Sequence, residues 1–214
     1  MKISLIFDLD GTLWDARVPI YEAWNIVGKK YFGPSYFTSL DDVGNMMGKT
    51  MDEIGKLLTP PGAKKEISAK FVAECFACEN DYLSMKPGFL FENELEILIE
   101  LSKKYDLYIV SNCQSGYIEC FLPLVPADIF KGHMCWDDTR LDKNFTILEL
   151  MRRYSIKSAI YIGDTQKDEA ATRLAGIPFI HAAYGFGTAS SPDAVATRFD
   201  LLPNAIDGVV KSLE

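Results

Sequence analysis

Short apolar runs recur along the chain and predict strands. Residues 3–7 (ISLIF) place apolar side chains on both faces of an extended chain, which is typical of an interior strand of a parallel sheet. Residues 107–111, 159–163 and 178–182 form three further runs of this kind. The first three runs end in, or are followed by, carboxylate, hydroxyl or amide residues. We therefore expect those polar groups at one edge of the sheet.

Helical periodicity occupies the stretches between these runs. Apolar residues spaced three and four positions apart predict helices over 92–104, 144–154 and 166–175, and Gly176 is a suitable helix end. Strands that alternate with helices predict an α/β fold, namely a Rossmann-like parallel sheet core covered on both faces. Active sites in such sheets lie at the carboxyl ends of the strands.

The segment between the first and second predicted strands departs from this alternation. It is predicted to form helices over 20–31, 40–47, 51–58 and 64–82, separated by Gly- and Pro-containing breaks. We therefore predict an inserted helical cap domain over residues 16–85 and a core domain made of residues 1–15 and 86–214. Because the insertion follows the first strand directly, it would overhang the carboxyl edge of the sheet.

Charge and composition narrow the range of partners. The 214 residues carry a formal net charge of −8, which would repel a nucleic-acid backbone. No apolar run approaches the roughly 20 residues that cross a bilayer, and the apolar stretch before Asp8 is too short for a signal peptide. We expect a cytoplasmic protein, a monomer or weak homodimer, with no nucleic-acid or membrane partner.

Polar residues with complementary chemistry follow the predicted strands. Two carboxylates within about 4 Å repel by roughly 4 kcal/mol at an effective dielectric near 20, so a close pair at a strand end calls for a cation. The candidates are Asp8, Asp10, Ser111, Lys143, Asp164 and Asp168. Together they offer a nucleophile, a proton shuttle, ligands for a divalent cation and positive charge, which phosphoryl transfer requires.

These residues carry a family resemblance. The motifs D-x-D-G-T at 8–12, Ser111, Lys143 and G-D-x-x-x-D at 163–168 occur in the order typical of haloacid dehalogenase (HAD) superfamily hydrolases. In detail the chain resembles the phosphoglycolate phosphatase and beta-phosphoglucomutase-like branch, which has a helical cap. The segment AAYGFGT, after the last predicted strand, is similar to a loop in these phosphatases. The resemblance implies a HAD-like core and covers nearly the whole chain.

The resemblance also implies a role for each residue. Asp8 would be the nucleophile that forms an aspartyl phosphate, and Asp10 would protonate the leaving alkoxide and later deprotonate water. Asp8 and Asp164 would bind Mg²⁺ by carboxylate and Asp10 by its backbone carbonyl, while Asp168 would hold a metal-bound water. The predicted phosphate-binding residues are Ser111, Asn112, Lys143 and Thr12, of which Thr12 would also steady the turn.

Two lysine assignments leave alternatives open. Many relatives have Pro directly after the motif lysine, whereas Asn144 follows Lys143, so Lys131 and Lys157 remain candidates. The spacing of twenty residues between Lys143 and Gly163 favours Lys143. In the predicted cap, Lys49 is expected to meet an anionic group on the leaving half of the substrate. A solvated loop lysine is the alternative.

The sequence therefore predicts a Mg²⁺-dependent phosphatase for a small phosphorylated metabolite, with phosphoglycolate as the best single substrate. A phosphosugar mutase would use every one of the same catalytic residues and stays open. A dehalogenase is disfavoured because its chemistry needs neither a metal nor a proton donor. A catalytically inactive binding protein on this fold is disfavoured because the set of motifs is complete.

Overall fold

A parallel six-stranded sheet forms the centre of the computed structural model, which describes residues 3–213. The strand order is β3-β2-β1-β4-β5-β6, and every neighbouring pair is parallel. The strands are β1 (Ser4–Phe7), β2 (Asp106–Val110), β3 (Phe130–Met134), β4 (Ala159–Gly163), β5 (Phe179–Ala182) and β6 (Ala194–Ala196). The predicted α/β fold with a Rossmann-like core is confirmed.

Helices cover the sheet and fill the insertion after β1. They are α1 (Arg17–Phe32), α2 (Leu40–Met46), α3 (Met51–Leu58), α4 (Lys65–Met85), α5 (Glu94–Lys104), α6 (Tyr117–Phe121), α7 (Trp136–Thr139), α8 (Lys143–Arg153), α9 (Gln166–Ala175) and α10 (Leu202–Leu213). None of the helices formed by residues 3–213 combines the length and apolarity that a membrane crossing requires.

The core forms on both faces of the sheet because side chains alternate along each strand. Leu5 and Phe7 of β1 belong to the apolar cluster that includes residues of α5, α10 and the helical insertion. Ile6, between them, belongs to a second cluster on the opposite face, with Ile147 of α8 and Ala171 of α9. Burial on both faces explains why Leu5, Ile6 and Phe7 are all apolar.

The register of β1 brings the carboxyl ends of three strands level with one another. Phe7 pairs with Ile109 of β2 on one side and with Ile162 of β4 on the other. The backbone N–H of Asp8 then donates to the carbonyl of Ile162 at 2.8 Å, which extends the ladder by one residue. Residues that directly follow β1, β2 and β4 therefore lie side by side.

Two strands were absent from the sequence prediction. β3 is an edge strand whose sequence FKGHM is only partly buried, so it lacks the continuous apolar run of an interior strand. β6 has three residues, which is too short for a pattern to appear. The four predicted strands are present with their ends shifted by at most one residue.

The helices α1–α4 are named here the cap helices. α1 and α4 pack against each other, and Tyr31, Phe32 and Phe71 form aromatic contacts between them. The chain enters and leaves this segment through a paired backbone: Asp15 and Phe89 exchange N–H to O=C hydrogen bonds of 2.8 and 3.0 Å. The four predicted helices are observed, while the division into domains at 15/16 and 85/86 stays a prediction.

A buried acid in α5 makes the stability of the fold depend on pH. Glu94 is 1% exposed; its Oε2 accepts the N–H of Phe91, and its Oε1 has no partner among the described residues. Burial raises the pKa of Glu94 to about 9. The folded state therefore holds a proton that the unfolded chain releases above its ordinary pKa of 4.5, so this group's contribution to stability falls as pH rises from about 4.5 to 9.

We expect Glu94→Gln to flatten this dependence, because Gln reproduces the neutral carboxyl without a titrating proton. Each pH unit in that window corresponds to about 1.4 kcal/mol for one such group. The measurement is the urea unfolding free energy at pH 5.5 and pH 8.5. The wild-type protein should lose more stability between the two values than the variant, and equal losses would contradict the assignment.

Candidate active site

Three predicted site residues converge at the carboxyl edge of the sheet. Asp8 follows β1, Ser111 follows β2 and Asp164 follows β4. The N–H of Ser111 donates to the carbonyl of Met134 at 3.2 Å, which continues the β2–β3 ladder. All three side chains are buried. The main chain of the sheet therefore fixes their positions, as the strand predictions implied.

Lys143, at the start of α8, reaches into this group. Its Nζ donates to Oδ1 of Asp8 at 2.8 Å and to Oδ1 of Asp168 at 2.5 Å. Burial alone would lower the pKa of Lys143, but the charges of Asp168 and Asp8 raise it well above its usual value. Lys131, one of the two alternatives, lies in β3, where it is exposed and donates to the carbonyl of Asp128. The structure thus brings Lys143, and not Lys131, to Asp8.

Three carboxylates surround one point at the strand ends. Oxygens of Asp8, Asp164 and Asp168 lie within 4.8 Å of one another. Burial, with the charges of Asp168 and Asp164, raises the pKa of Asp8 well above its ordinary value, although Lys143 opposes this. Burial and the charge of Asp168 likewise raise the pKa of Asp164 to about 7, against the backbone N–H donors that it accepts. The cluster carries more negative charge than its surroundings stabilise.

The residues of this cluster fit a divalent cation. When all three carboxylates are ionised, the single positive charge of Lys143 leaves an excess of two negative charges. Oδ1 of Asp164 is buried and has no hydrogen-bond partner among the described residues. A buried acceptor without a donor is costly, and a cation beside it would offset that cost. The all-oxygen donor set suits Mg²⁺ better than zinc.

The backbone around Asp164 holds its carboxylate in one orientation. Oδ2 accepts the N–H groups of Phe186 at 2.8 Å and Gly187 at 3.1 Å, both in the loop after β5. Gly11 packs against the same oxygen with φ of 75°, and a Cβ there would lie 2.4 Å from it. A side chain at position 11 would therefore displace Asp164, so the glycine of the D-x-D-G-T motif is required by close packing.

Hydrogen bonds at the N-terminus of α9 orient the side chain of Asp168. Thr165 is the N-cap of α9, and its Oγ1 accepts the N–H of Asp168 at 3.1 Å. In return, Oδ2 of Asp168 accepts the N–H and the hydroxyl of Thr165, at 3.1 and 2.5 Å. This capping box leaves the other oxygen, Oδ1, to Lys143. Both oxygens of Asp168 therefore have protein partners.

Asp10 lies apart from the ion-paired cluster and has its own partners. Its Oδ1 accepts the hydroxyl of Tyr117 at 2.7 Å and Nε1–H of Trp14 at 2.9 Å. Burial raises the pKa of Asp10 to about 6, although both hydrogen bonds act in the opposite direction. Tyr117 belongs to α6, a short helix that the sequence prediction missed, so this contact was not predicted.

A narrow cleft separates the strand ends from the cap helices. Asp8, Asp10 and Ser111 line its floor, and Lys49 lines it from the loop between α2 and α3. Lys49 forms no ion pair with any described residue. Thr12 is fully buried and does not line the cleft. The predicted contacts of Lys49 with substrate and of Thr12 with phosphate stay predictions.

Side chains from outside the cap helices contact the α2–α3 region. Nδ2 of Asn112 donates to the carbonyl of Gly48 at 3.1 Å, and Asn112 also lines the cleft, so its predicted contact with phosphate stays a prediction. Nζ of Lys167 donates to both carboxylate oxygens of Glu53 at 2.8 and 2.9 Å, and this contact lowers the pKa of Glu53 to about 2. These contacts join the α2–α3 region to the residue after β2 and to α9.

The family follows from a direct match. Residues 5–182 match the family of haloacid dehalogenase-like hydrolases. The chain belongs to this family and is accordingly a hydrolase, so the resemblance drawn from its motifs is confirmed.

One curated relative and several solved structures are similar over nearly the whole chain. Phosphoglycolate phosphatase of Rhodobacter capsulatus is 25% identical over 219 residues, which cover 96% of this chain and 91% of the relative. A haloacid dehalogenase-like hydrolase from Bacteroides fragilis superposes with a TM-score of 0.82 at 22% identity, covering 94% of this chain and all of that one. CbbY from Rhodobacter sphaeroides, solved with phosphate, gives 0.77 at 15% identity, covering 94% and 96%. At these identities the structures establish the fold.

Proposed function

We propose that the protein is a Mg²⁺-dependent phosphatase that hydrolyses a small phosphomonoester through an aspartyl-phosphate intermediate. One observation carries the proposal: Asp8, buried at the end of β1, is ion-paired to Lys143 and faces a cleft that Asp10 also lines. A carboxylate held in this way can act as a nucleophile, with a second carboxyl placed to transfer a proton. The name of the Rhodobacter capsulatus relative agrees with the proposal.

The metal would be held by Asp8 and Asp164, with Asp168 close by and the backbone carbonyl of Asp10 as a further ligand. Support comes from the unpartnered Oδ1 of Asp164 and from the excess of negative charge in the cluster. When bound, Mg²⁺ supplies positive charge that keeps the carboxylates ionised and offsets charge on the phosphoryl oxygens.

In the first half-reaction a carboxylate oxygen of Asp8 attacks phosphorus in line with the ester oxygen. The new bond from Asp8 to phosphorus forms as the bond from phosphorus to the alkoxide breaks. Asp10 gives its proton to the alkoxide, which leaves as a neutral alcohol. Ser111 donates to a phosphoryl oxygen, and Lys143 balances charge on Asp8 and on the transferred group.

In the second half-reaction Asp10, now ionised, takes a proton from water, and the water oxygen attacks phosphorus. The bond from phosphorus to Asp8 breaks, so phosphate leaves and the carboxylate of Asp8 is restored. Tyr117 and Trp14 fix the orientation of Asp10 through hydrogen bonds to Oδ1. Its other oxygen therefore serves both proton transfers from one position.

The identity of the ester is the finer question. Phosphoglycolate stays the substrate that the sequence predicts. A phosphosugar mutase would use the same residues, and no contact in the cleft favours it over hydrolysis. The predicted absence of nucleic-acid and membrane partners, and the monomer or weak homodimer, also stay predictions.

We expect phosphate release from at least one small phosphomonoester when purified protein is incubated with a panel of metabolite phosphates and Mg²⁺. The panel includes phosphoglycolate and hexose phosphates, and sugar-phosphate isomerisation is followed in parallel. Isomerisation without phosphate release would favour the mutase. Absence of both activities over the whole panel, p-nitrophenyl phosphate included, would overturn the proposed function.

A further inference from the structure

A chain of hydrogen bonds forms one wall of the cleft. It runs from the backbone of Ser115 through Asn80, Gln114 and Glu79 to Trp24. Three of these residues, Gln114, Glu79 and Trp24, line the cleft together with Asp8 and Asp10. Asn80 and Glu79 belong to α4, Trp24 belongs to α1, and Gln114 follows β2. The roles proposed above for Asp8, Asp10 and the metal leave this wall without a function.

The backbone fixes which way each amide in the chain faces. Nδ2 of Asn80 donates to the carbonyl of Ser115 at 2.9 Å, so Oδ1 of Asn80 must face Gln114. Nε2 of Gln114 then donates to Oδ1 of Asn80 at 2.9 Å and to Oε1 of Glu79 at 3.3 Å. Both hydrogens of the Gln114 amide are therefore used. Its Oε1 is left as a buried acceptor with no partner among the described residues.

Glu79 adds a second acceptor group to the same wall. It is 3% exposed, and its Oε2 accepts Nε1–H of Trp24 at 2.6 Å. Burial raises the pKa of Glu79 to about 8, although the Trp24 and Gln114 donors oppose the shift. None of the ion pairs among the described residues includes Glu79. A buried carboxyl without a cation and an unpartnered amide oxygen both destabilise the fold. Their presence side by side in the cleft wall therefore indicates a functional role.

We propose that this wall recognises a hydrogen-bond donor, a hydroxyl or an ammonium group, on the leaving half of the substrate. The inference rests on the proposed phosphatase function and narrows its substrate class. Oε1 of Gln114 would accept from that donor, and Glu79 would lie beside it. A carboxylate placed against the wall itself would face two acceptor groups, whereas Lys49, the cation that lines the same cleft, belongs to the α2–α3 loop and not to this wall. Phosphoglycolate therefore fits this wall less well than a hydroxy or amino ester does.

The direct test compares esters that share one two-carbon skeleton. They are ethyl phosphate, 2-hydroxyethyl phosphate, 2-aminoethyl phosphate and phosphoglycolate, assayed with Mg²⁺ by phosphate release. We expect kcat/KM for the hydroxy or the amino ester to exceed that for ethyl phosphate and for phosphoglycolate by about tenfold or more. Sites built to hydrogen-bond a substrate group discriminate strongly against analogues that lack it.

Variants connect this preference to the wall. Gln114→Leu removes the free acceptor, so the ratio of kcat/KM for the preferred ester to that for ethyl phosphate should fall towards one. Asn204→Leu, the matched amide-to-leucine change at an exposed position of α10, should keep the wild-type ratio. Glu79→Gln separates the two donor types: an ammonium group beside Glu79 would favour its ionised form and pair with it, and the variant cannot form that ion pair. The variant should therefore reduce use of an ammonium ester more than use of a hydroxy ester.

The outcomes separate this inference from the function on which it rests. If phosphoglycolate is the best ester, or if all four esters react equally, the wall has no such role while the phosphatase function stands. If neither the four esters nor any member of the metabolite panel, p-nitrophenyl phosphate included, is hydrolysed, both proposals fail. Should Gln114→Leu not fold, the wild-type ranking of the four esters alone decides.

Discussion

Replacement of Asp8 by Asn is expected to lower kcat by about 10⁴-fold or more, the size of loss found when a nucleophile is removed from an enzyme site. The amide cannot form the bond to phosphorus that the proposed mechanism requires, and no other carboxylate occupies the end of β1. Asp10 accepts hydrogen bonds from Tyr117 and Trp14, and neither Asp164 nor Asp168 lines the cleft.

The same substitution should leave the fold intact. Oδ1 of Asn can still accept from Nζ of Lys143, and Lys143 keeps its ion pair with Asp168. Loss of one of three crowded carboxylates also relieves repulsion within the cluster. The measurements are steady-state kinetics and the thermal midpoint, with Asp207→Asn on the exposed face of α10 as the matched control. Wild-type turnover in the Asp8 variant would refute its role as the nucleophile.

Removal of divalent cations should silence the enzyme, and added Mg²⁺ should restore it fully. The physical reason is the excess of two negative charges left by Asp8, Asp164 and Asp168 after pairing with Lys143. A ligand that binds only the folded state stabilises it by about 2.7 kcal/mol at 100 times its dissociation constant. Mg²⁺ should therefore also raise the thermal midpoint, which gives a measurement that does not depend on turnover.

Asp164→Asn tests which oxygens hold the ion. Oδ2 of Asp164 is occupied by two backbone donors, so the free Oδ1 is the oxygen that the ion would use. The variant should weaken Mg²⁺ binding, measured by calorimetry, and should reduce the Mg²⁺-dependent rise in the midpoint, whereas Asp207→Asn should change neither. Full activity in a chelator, with no effect of Mg²⁺ on the midpoint, would contradict the metal site.

The parts of the site that are local in sequence could be predicted before the structure. Asp8 and Asp164 follow strands whose mostly apolar residues indicate burial on both faces, and parallel strands place their carboxyl ends together. The edge strand β3 could not be recognised, because a strand that is only partly buried needs no apolar run. Its absence from the prediction did not affect the site, since the central strands β1, β2 and β4 carry it.

Contacts between segments that are distant in sequence could not be predicted from such local patterns. The choice among Lys143, Lys131 and Lys157 stayed open because it depends on where α8 begins relative to β1, which no short pattern encodes. The Tyr117 contact to Asp10 spans 107 positions, and the Gln114 contact to Glu79 joins the residues after β2 to helix α4. Such pairs consist of ordinary residue types whose chemistry appears only when the fold makes them neighbours.

The pairing of Asp15 with Phe89 has a consequence for how this architecture can be modified. Both ends of the inserted helices are hydrogen-bonded to each other, so the main chain enters and leaves the insertion at adjacent positions. A helical segment of another length or sequence could be joined there without changing the spacing of the strands. The two adjacent backbone positions thus offer a point at which the inserted helices could be exchanged while the strands stay as they are.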